Sequence, residues 1–290
     1  MKARQMMRSR GFAAGLALLP LALTGCEGSL TADLAAEAPA DPSIAEVDVT
    51  LRGLEFERSD GGTVLVDFRD GEAVDLMDFI AGTPFRLFTD ESLREGKYTG
   101  VRLAFEQGSD VSVVSSTGAQ FDGRLEDGEF AAVDFDVKKD RRSLETLTLT
   151  LDLRRSLVFD DAAGRYVLTP TLRSIRTDAA AQVTGTIASA CPAGSTLATG
   201  GAVYAFEGRG IEPDDLDRQD AEPLATAQVE LQPGLGTPGF SLRFLPAGDY
   251  TLSLTCLGDI DTPDVDEQLL FGRTVQVSLD SGEAATAAPL

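Results

Sequence analysis

The stretch Thr146-Leu147-Thr148-Leu149-Thr150-Leu151-Asp152-Leu153 alternates leucine with a polar residue at every step. Side chains of a strand point to opposite faces in turn, so this period of two places four leucines on one face and reads as a half-buried β-strand. The same alternation recurs outward in both directions. Val47, Val49 and Leu51 carry it near the start, Gly53 breaks its phase, and Leu54 and Phe56 resume it one residue later. A glycine at a phase shift predicts a β-bulge. Gly61-Gly62 predicts a hairpin turn before Val64, Val66 and Phe68, and Val133, Phe135 and Val137 predict another strand. Helical turns are expected only at 74–80 and 90–94. Further strands are expected at 183–187, 202–206, 225–231, 240–244, 250–256 and 274–279. Many short strands separated by Gly/Pro turns imply an all-β chain, with two β-sandwich domains of Ig-like pattern in tandem. The expected units are 44–178 and 179–290, joined by a short linker around 177–181.

A repeated corner links the two units. Leu93-Arg94-Glu95-Gly96-Lys97-Tyr98 leads into Val101-Arg102-Leu103, and Leu245-Pro246-Ala247-Gly248-Asp249-Tyr250 leads into Leu252-Ser253-Leu254. In each, a glycine turn precedes a tyrosine that opens a strand. Such a tyrosine can bury its ring and hydrogen-bond to the backbone at a sandwich corner.

The chain begins with four basic residues (Lys2, Arg4, Arg8, Arg10), then an uncharged run from Gly11 to Gly25, then Cys26. A basic start, a short apolar core and small residues before a cut define an export signal, here residues 1–25. The run is too short to span a bilayer, which takes about 20 apolar residues. Leu23-Thr24-Gly25-Cys26 resembles the lipobox of bacterial lipoproteins. That resemblance implies cleavage before Cys26, acylation of Cys26 and attachment to a membrane. Glu27, rather than aspartate, follows the cysteine, which by the same resemblance implies the outer membrane. Residues 26–43, rich in Ala, Glu, Asp and Pro, show no strand period and predict a lipidated N-terminus followed by a tether.

Composition narrows the chemistry. Removing the four basic residues before Cys26 leaves 21 Lys and Arg against 47 Asp and Glu, a net charge of −26. Nucleic acid binding rests on cationic side chains neutralising phosphates, so no nucleic-acid partner is expected. The chain has no histidine, tryptophan or asparagine. Serine–histidine and cysteine–histidine catalysis are therefore excluded, and imidazole is unavailable to zinc. No lysine stands in a Ser-x-x-Lys arrangement. Gly234-Leu235-Gly236-Thr237-Pro238-Gly239 spells a dinucleotide fingerprint, but Pro238 and the alternating 240–244 follow where a helix is required, so it reads as a hairpin loop. With 47 acids, pairing of carboxylates carries no glycosidase signal.

Three cysteines are present. With Cys26 taken by lipid, Cys191 and Cys256 remain as a pair in an oxidising compartment, and a disulfide is expected. Two acidic clusters stand in the second unit: Asp214, Asp215, Asp217 and Asp220, then Asp259, Asp261, Asp264, Asp266 and Glu267. Calcium takes six to eight oxygen ligands, often from a flexible loop. Asp259, Asp261, Asp264 and Asp266 are the candidate calcium ligands, set against a plain solvated acidic loop. Tyr98, Tyr166, Tyr204 and Tyr250 are the side chains available to stack on a sugar ring.

A resemblance covers about half of the mature chain. The opening strand 47–56, Val74-Asp75-Leu76, Gly96-Lys97-Tyr98 with Val101-Arg102-Leu103, Leu151-Asp152-Leu153-Arg154-Arg155-Ser156-Leu157 and Tyr166-Val167-Leu168-Thr169-Pro170 resemble a bacterial lipoprotein family with a domain of unknown function (DUF4382). The second unit is similar, through 240–250, to prealbumin-like and carboxypeptidase-regulatory-like sandwiches. Neither resemblance supplies catalytic residues. Together these readings predict a non-enzymatic, lipid-anchored envelope protein with a structural role or a role in binding an envelope or extracellular protein or glycan partner. The alternative is a calcium-dependent adhesion or glycan-binding module on the cell surface.

Overall fold

The computed structural model describes residues 28–80, 83–106, 111–138, 144–219, 221–231, 236–263 and 265–290. The export signal, Cys26, Asp220, Asp264 and Gly234-Leu235 lie outside the described residues.

The Thr/Leu alternation of 146–152 forms a strand, and its surroundings decide the first unit. Twelve strands are described there: β1 (Gly28–Glu37), β2 (Ile44–Arg58), β3 (Thr63–Asp75), β4 (Phe85–Leu93), β5 (Gly96–Phe105), β6 (Val111–Ser115), β7 (Gln120–Leu125), β8 (Ala131–Val137), β9 (Leu144–Asp152), β10 (Leu157–Asp160), β11 (Arg165–Leu168) and β12 (Leu172–Arg176). One sheet runs β12-β9-β1-β4 and faces a second of order β10-β11-β7-β6-β2-β5-β8, with β3 also paired to β2. Leu30, Leu34, Leu51, Leu54, Phe56, Tyr98, Leu149 and Leu151 belong to the core they share. Eight more strands follow: β13 (Ala181–Thr186), β14 (Ala202–Glu207), β15 (Ala225–Gln228), β16 (Glu230–Leu231), β17 (Pro238–Leu245), β18 (Gly248–Thr255), β19 (Phe271–Leu279) and β20 (Ala284–Thr286). They form two sheets, β16-β17-β13-β20 and β15-β14-β18-β19, over a separate core that includes Val183, Val203, Leu242 and Leu252. The chain is all-β and built of sandwiches, as its alternation predicts.

The predicted bulge is present. Pairing of β2 with both β3 and β5 shifts register between Leu51 and Gly53. Gly53 has φ 156°, and a Cβ there would overlap the Val66 carbonyl oxygen. Glycine thus permits the close approach that lets β2 change partners along its length. Both tyrosine corners are present with matching geometry. Tyr98 Oη donates to the Arg94 carbonyl and Tyr250 Oη to the Pro246 carbonyl, each at 2.7 Å, with both rings buried.

Three expectations are corrected. Residues 28–37, read as tether, form a central strand: β1 pairs antiparallel with β4 and parallel with β9, from Ser29 opposite Leu144 to Glu37 opposite Asp152. Leu30, Ala32, Leu34 and Ala36 do alternate, and all lie in the core. Small alanines and acidic neighbours of low strand propensity hide that period. Residues 90–94, read as a helical turn, instead close β4. Finally, β9 is buried on both faces rather than one, since Thr148 and Thr150 are covered as well as the leucines. The helical expectation at 74–80 is met by a single 3-10 turn, Leu76–Phe79, capped by the Asp75 carboxylate.

Candidate functional site

Two places gather charged side chains beneath the surface. The first joins the sandwiches. Asp152 ends β9, and its carboxylate accepts the Arg155 amide at 3.0 Å, capping the short helical turn α1 (Leu153–Ser156). An aspartate in this position satisfies an otherwise unpaired amide at the start of the turn. The turn aims two arginines at the second unit. Arg155 pairs with Asp152 at 2.6 Å and Glu222 at 3.1 Å, and donates to the Pro223 carbonyl. Arg154, 3% exposed, donates to the Gly258 carbonyl and lies over the Tyr204 ring at 5.6 Å. From β12, Arg173 donates to the Leu224 carbonyl at 2.7 Å and pairs with Glu37 at 2.6 Å. The other Glu37 oxygen accepts the Thr226 amide at 3.0 Å. Burial raises the Glu37 pKa, and the facing Arg173 opposes it.

Beside this joint lies a cavity of about 450 Å³, lined among others by Glu37, Thr150, Thr226, Phe240 and Arg243. Both Glu37 oxygens are engaged in the joint, so its carboxylate is not aimed freely into that space.

The second place sits on the outer face of the β15-β14-β18-β19 sheet. There Ala202, Tyr204 and Phe206 form a small apolar cluster under Ile211, Ala221, Leu269 and Phe271. The described parts of the segments 208–224 and 257–270, without Asp220 and Asp264, therefore cover this face as a third layer. Asp261 is fully buried beneath them. Its oxygens accept the Leu216 amide at 3.0 Å and the Tyr204 hydroxyl, and Arg154 approaches to 3.9 Å. Burial, above all, holds the Tyr204 hydroxyl well above its usual pKa, so it remains a donor. Asp215 lies against this group, 1% exposed, and neither of its oxygens has a hydrogen-bond partner. Its carboxyl is lifted to about 6, first by burial and further by Asp214, Asp217 and Asp261; the Glu267 amide nearby, short of hydrogen-bond geometry, pulls the other way. Carboxylate oxygens of Asp215, Asp261 and Glu267 lie within 4.8 Å of one another, as do those of Asp214, Asp215 and Asp217.

Of the three expected calcium ligands among the described residues, only Asp261 enters such a group. Asp259 is packed against Gly200, and Asp266 is exposed. The chain turns at 257–260, where the Ile260 amide bonds the Leu257 carbonyl, and the Tyr204 and Leu216 donors draw Asp261 inward. The grouped residues come one from the first acidic cluster and two from the second. Both clusters are visible in the sequence, but only folding over Tyr204 merges them. The expected disulfide is present: Cys191 and Cys256 are bonded, with Cα atoms 5.7 Å apart, and anchor the start of the 257–270 segment. The four tyrosines offered for sugar stacking are all buried, Tyr98, Tyr204 and Tyr250 almost completely. Each serves a corner or a core, so none presents a ring to a glycan. Pro238 opens β17, so the Gly236–Gly239 part of the glycine-rich stretch leads into a strand, not a helix.

Comparison with known proteins gives one family and several distant structures. No curated protein matches the chain. A solved structure of a candidate cell adhesion protein from Bacteroides fragilis is 11% identical, with 90% of this chain and 92% of that one covered and a TM-score of 0.20. A candidate adhesin from Bacteroides ovatus is 13% identical, covering 86% and 77%, with a TM-score of 0.19. A C-terminal fragment of the pilus adhesin SpaC from Lactobacillus rhamnosus GG is 10% identical, covering 90% and 98%, with a TM-score of 0.14. Scores this low carry no argument about function. The family match is of another kind, for it spans β1 through the end of β11 and so takes in the strand that the composition of 26–43 hides. Residues 29–170 of this chain belong to the family described as "Domain of unknown function (DUF4382)".

Proposed function

We propose that this chain is an exported lipoprotein, acylated on Cys26, that serves as a non-enzymatic partner-binding component of the cell envelope, held at the outer membrane. The observation that carries the reading is the position of Cys26 in the sequence relative to the fold. The cysteine closes an export signal and stands two residues before β1, a central strand of the first sandwich. An acyl group there would bring the first sandwich directly to the membrane surface. Among the described residues, no helix is long and apolar enough to cross a membrane. A lipid anchor supplies attachment in another way, and stable attachment takes more than one acyl chain.

A binding role, rather than catalysis, is supported by how the buried charges are used. Glu37, Asp152, Arg155 and Arg173 are engaged with each other and with backbone groups across the joint. They hold surfaces in place. The chain's strongly acidic surface suits a cationic or metal-bridged partner and not nucleic acid.

The test is metabolic labelling with an alkyne fatty acid in a bacterium that exports the chain. We expect label on the wild type, a mature N-terminus at Cys26, and recovery with the outer-membrane fraction. Cys26→Ser should lose the label and leave the membrane. An unlabelled mature protein that begins elsewhere would sink the lipoprotein reading.

A further inference from the structure

We propose that Asp215, Asp261 and Glu267 form a calcium site that ties the 208–224 and 257–270 segments together over the outer face of the second sandwich. This inference is independent of the lipid anchor. It rests first on convergence, since three carboxylates from two distant segments bring oxygens within 4.8 Å of one another. Convergence of acids is common on protein surfaces, but two of these three are buried: Asp215 is 1% exposed and Asp261 fully covered. A buried charge is costly unless it is paired and hydrogen-bonded. Asp261 meets that requirement through Leu216, Tyr204 and Arg154. Glu267 meets it in part, accepting the Thr262 amide at 3.3 Å and hydroxyl at 2.9 Å. Asp215 does not, for neither oxygen has a partner. Among the described residues, Arg154 reaches Asp261 at 3.9 Å and no ion pair joins Asp215 or Glu267, so two negative charges stay unanswered. A divalent cation would answer them.

The donor set selects the cation. All the donors are oxygens, the chain has no histidine, and the sulfurs of Cys191 and Cys256 are bonded to each other. Soft and borderline metals lack their preferred ligands here. Calcium takes oxygens at about 2.3–2.6 Å in a flexible geometry, while magnesium demands near-ideal octahedral coordination and is usually held by one or two carboxylates. Three carboxylates whose oxygens lie within 4.8 Å of one another therefore suit calcium. Asp214 and Asp217, grouped with Asp215 on its outer side, would add to the attraction. The two segments are otherwise joined to the sheet at their ends, by the Cys191–Cys256 bond and by Leu269 and Phe271 packing near Tyr204. A cation at their meeting point would hold the third layer in place. Because Arg154 bonds both Gly258 and Asp261, it would also stiffen the joint to the first sandwich.

The experiment uses the exported chain, stripped with EDTA and titrated with calcium chloride by calorimetry and by thermal unfolding. Magnesium chloride at equal ionic strength is the control for screening. We expect saturable one-to-one binding of calcium and a midpoint that climbs with its concentration, as linkage to the native state requires. Asp215→Asn should weaken calcium binding at least tenfold while leaving the stripped protein no less stable, since it removes an unanswered charge. Glu267→Gln, at a half-buried position, should weaken binding as strongly and covers the case in which the first variant fails to fold. Absence of saturable binding, an equal response to magnesium, or unchanged calcium binding in either folded variant would overturn the assignment.

Discussion

Replacing Leu34 by alanine tests whether residues 28–37 are a strand or a tether. Leu34 is fully buried, with Leu149 and Phe85 as its register partners on either side. Neighbours held in two ladders collapse poorly into a vacated space. The cost therefore belongs in the middle of the range for buried Leu→Ala changes, about 3–4 kcal/mol. Leu30 is equally buried and belongs to the same core. It lies four residues away, about 13 Å along the strand, so the two losses should add to within about 0.5 kcal/mol. The double variant would lose about 6–8 kcal/mol, comparable to the whole stability of an ordinary domain. Urea unfolding followed by circular dichroism reads this directly. With a slope of about 2 kcal/mol per molar, each single change should lower the midpoint by about 1.5–2 M. Leu144→Ala is the matched control, because Leu144 opens β9 at 56% exposure and its loss should cost under about 0.5 kcal/mol. If Leu34→Ala shifts the midpoint no more than Leu144→Ala, β1 is not part of the core and the first sandwich is wrongly assembled.

Glu37→Gln should gain stability relative to the wild type as pH rises. Burial raises the folded-state pKa of Glu37 above 4.5, so the native protein keeps that proton after the unfolded chain has lost it. Stability then falls with rising pH from about 4.5 upward in the wild type but not in the variant; urea midpoints at pH 4 and pH 7 whose difference stays constant would contradict this. Tyr98→Phe and Tyr250→Phe should each cost about 1–3 kcal/mol, since each strands a carbonyl that the hydroxyl had satisfied. Burial pushes Tyr250 up to about 12 and holds Tyr204 well above its usual value, so absorbance titration should show at least two tyrosines silent up to pH 11, and one fewer in Tyr250→Phe. Cys191→Ser with Cys256→Ser should lower stability by up to about 4 kcal/mol, because the bond closes a loop of 65 residues. A loss below about 1 kcal/mol in chemical denaturation would show that the segment is held by other contacts.

Alternation made most strands legible. Thr146–Leu153, Val47–Phe56 with its bulge at Gly53, and the paired Tyr98 and Tyr250 corners all follow from period two and turn chemistry. What stayed hidden was hidden for particular reasons. In β1 the core-facing positions alternate leucine with alanine, and alanine carries too little apolar contrast to mark a face. Asp90 sits in the left-handed region at φ 52°, which bends β4 near its end and mimics a turn in the sequence. The Thr face of β9 looks solvent-exposed because threonine is polar; Thr148 is instead bonded to Thr177 and Thr150 lies beside Thr226 of the second sandwich, contacts that no local pattern reports. The carboxylate group fails in the same way. Asp215 and Asp261 are 46 positions apart, and the Tyr204 hydroxyl and the Leu216 amide, both donating to Asp261, bring them to one place.

The stretch from Asp152 to Leu157 shows how one local pattern can serve two levels of structure. Taken alone, Asp-Leu-Arg-Arg-Ser is a capped turn that ends a strand, with Asp152 satisfying its amide and the Ser156 hydroxyl bonding back to the Asp152 carbonyl. A turn that only reversed the chain would not need two arginines. Their positions follow from the turn itself: successive residues on one helical turn point about 100° apart, so Arg154 and Arg155 leave in different directions. Arg155 goes to Glu222 and Pro223, and Arg154 to Gly258 and Asp261. These targets lie on the two segments that cover the outer face of the second sandwich. A change in the packing of that third layer is therefore felt at the end of β9, and through β9 at β1, the strand that follows Cys26. If calcium orders the third layer, its effect should reach the first sandwich through these two side chains, with no contact of its own there.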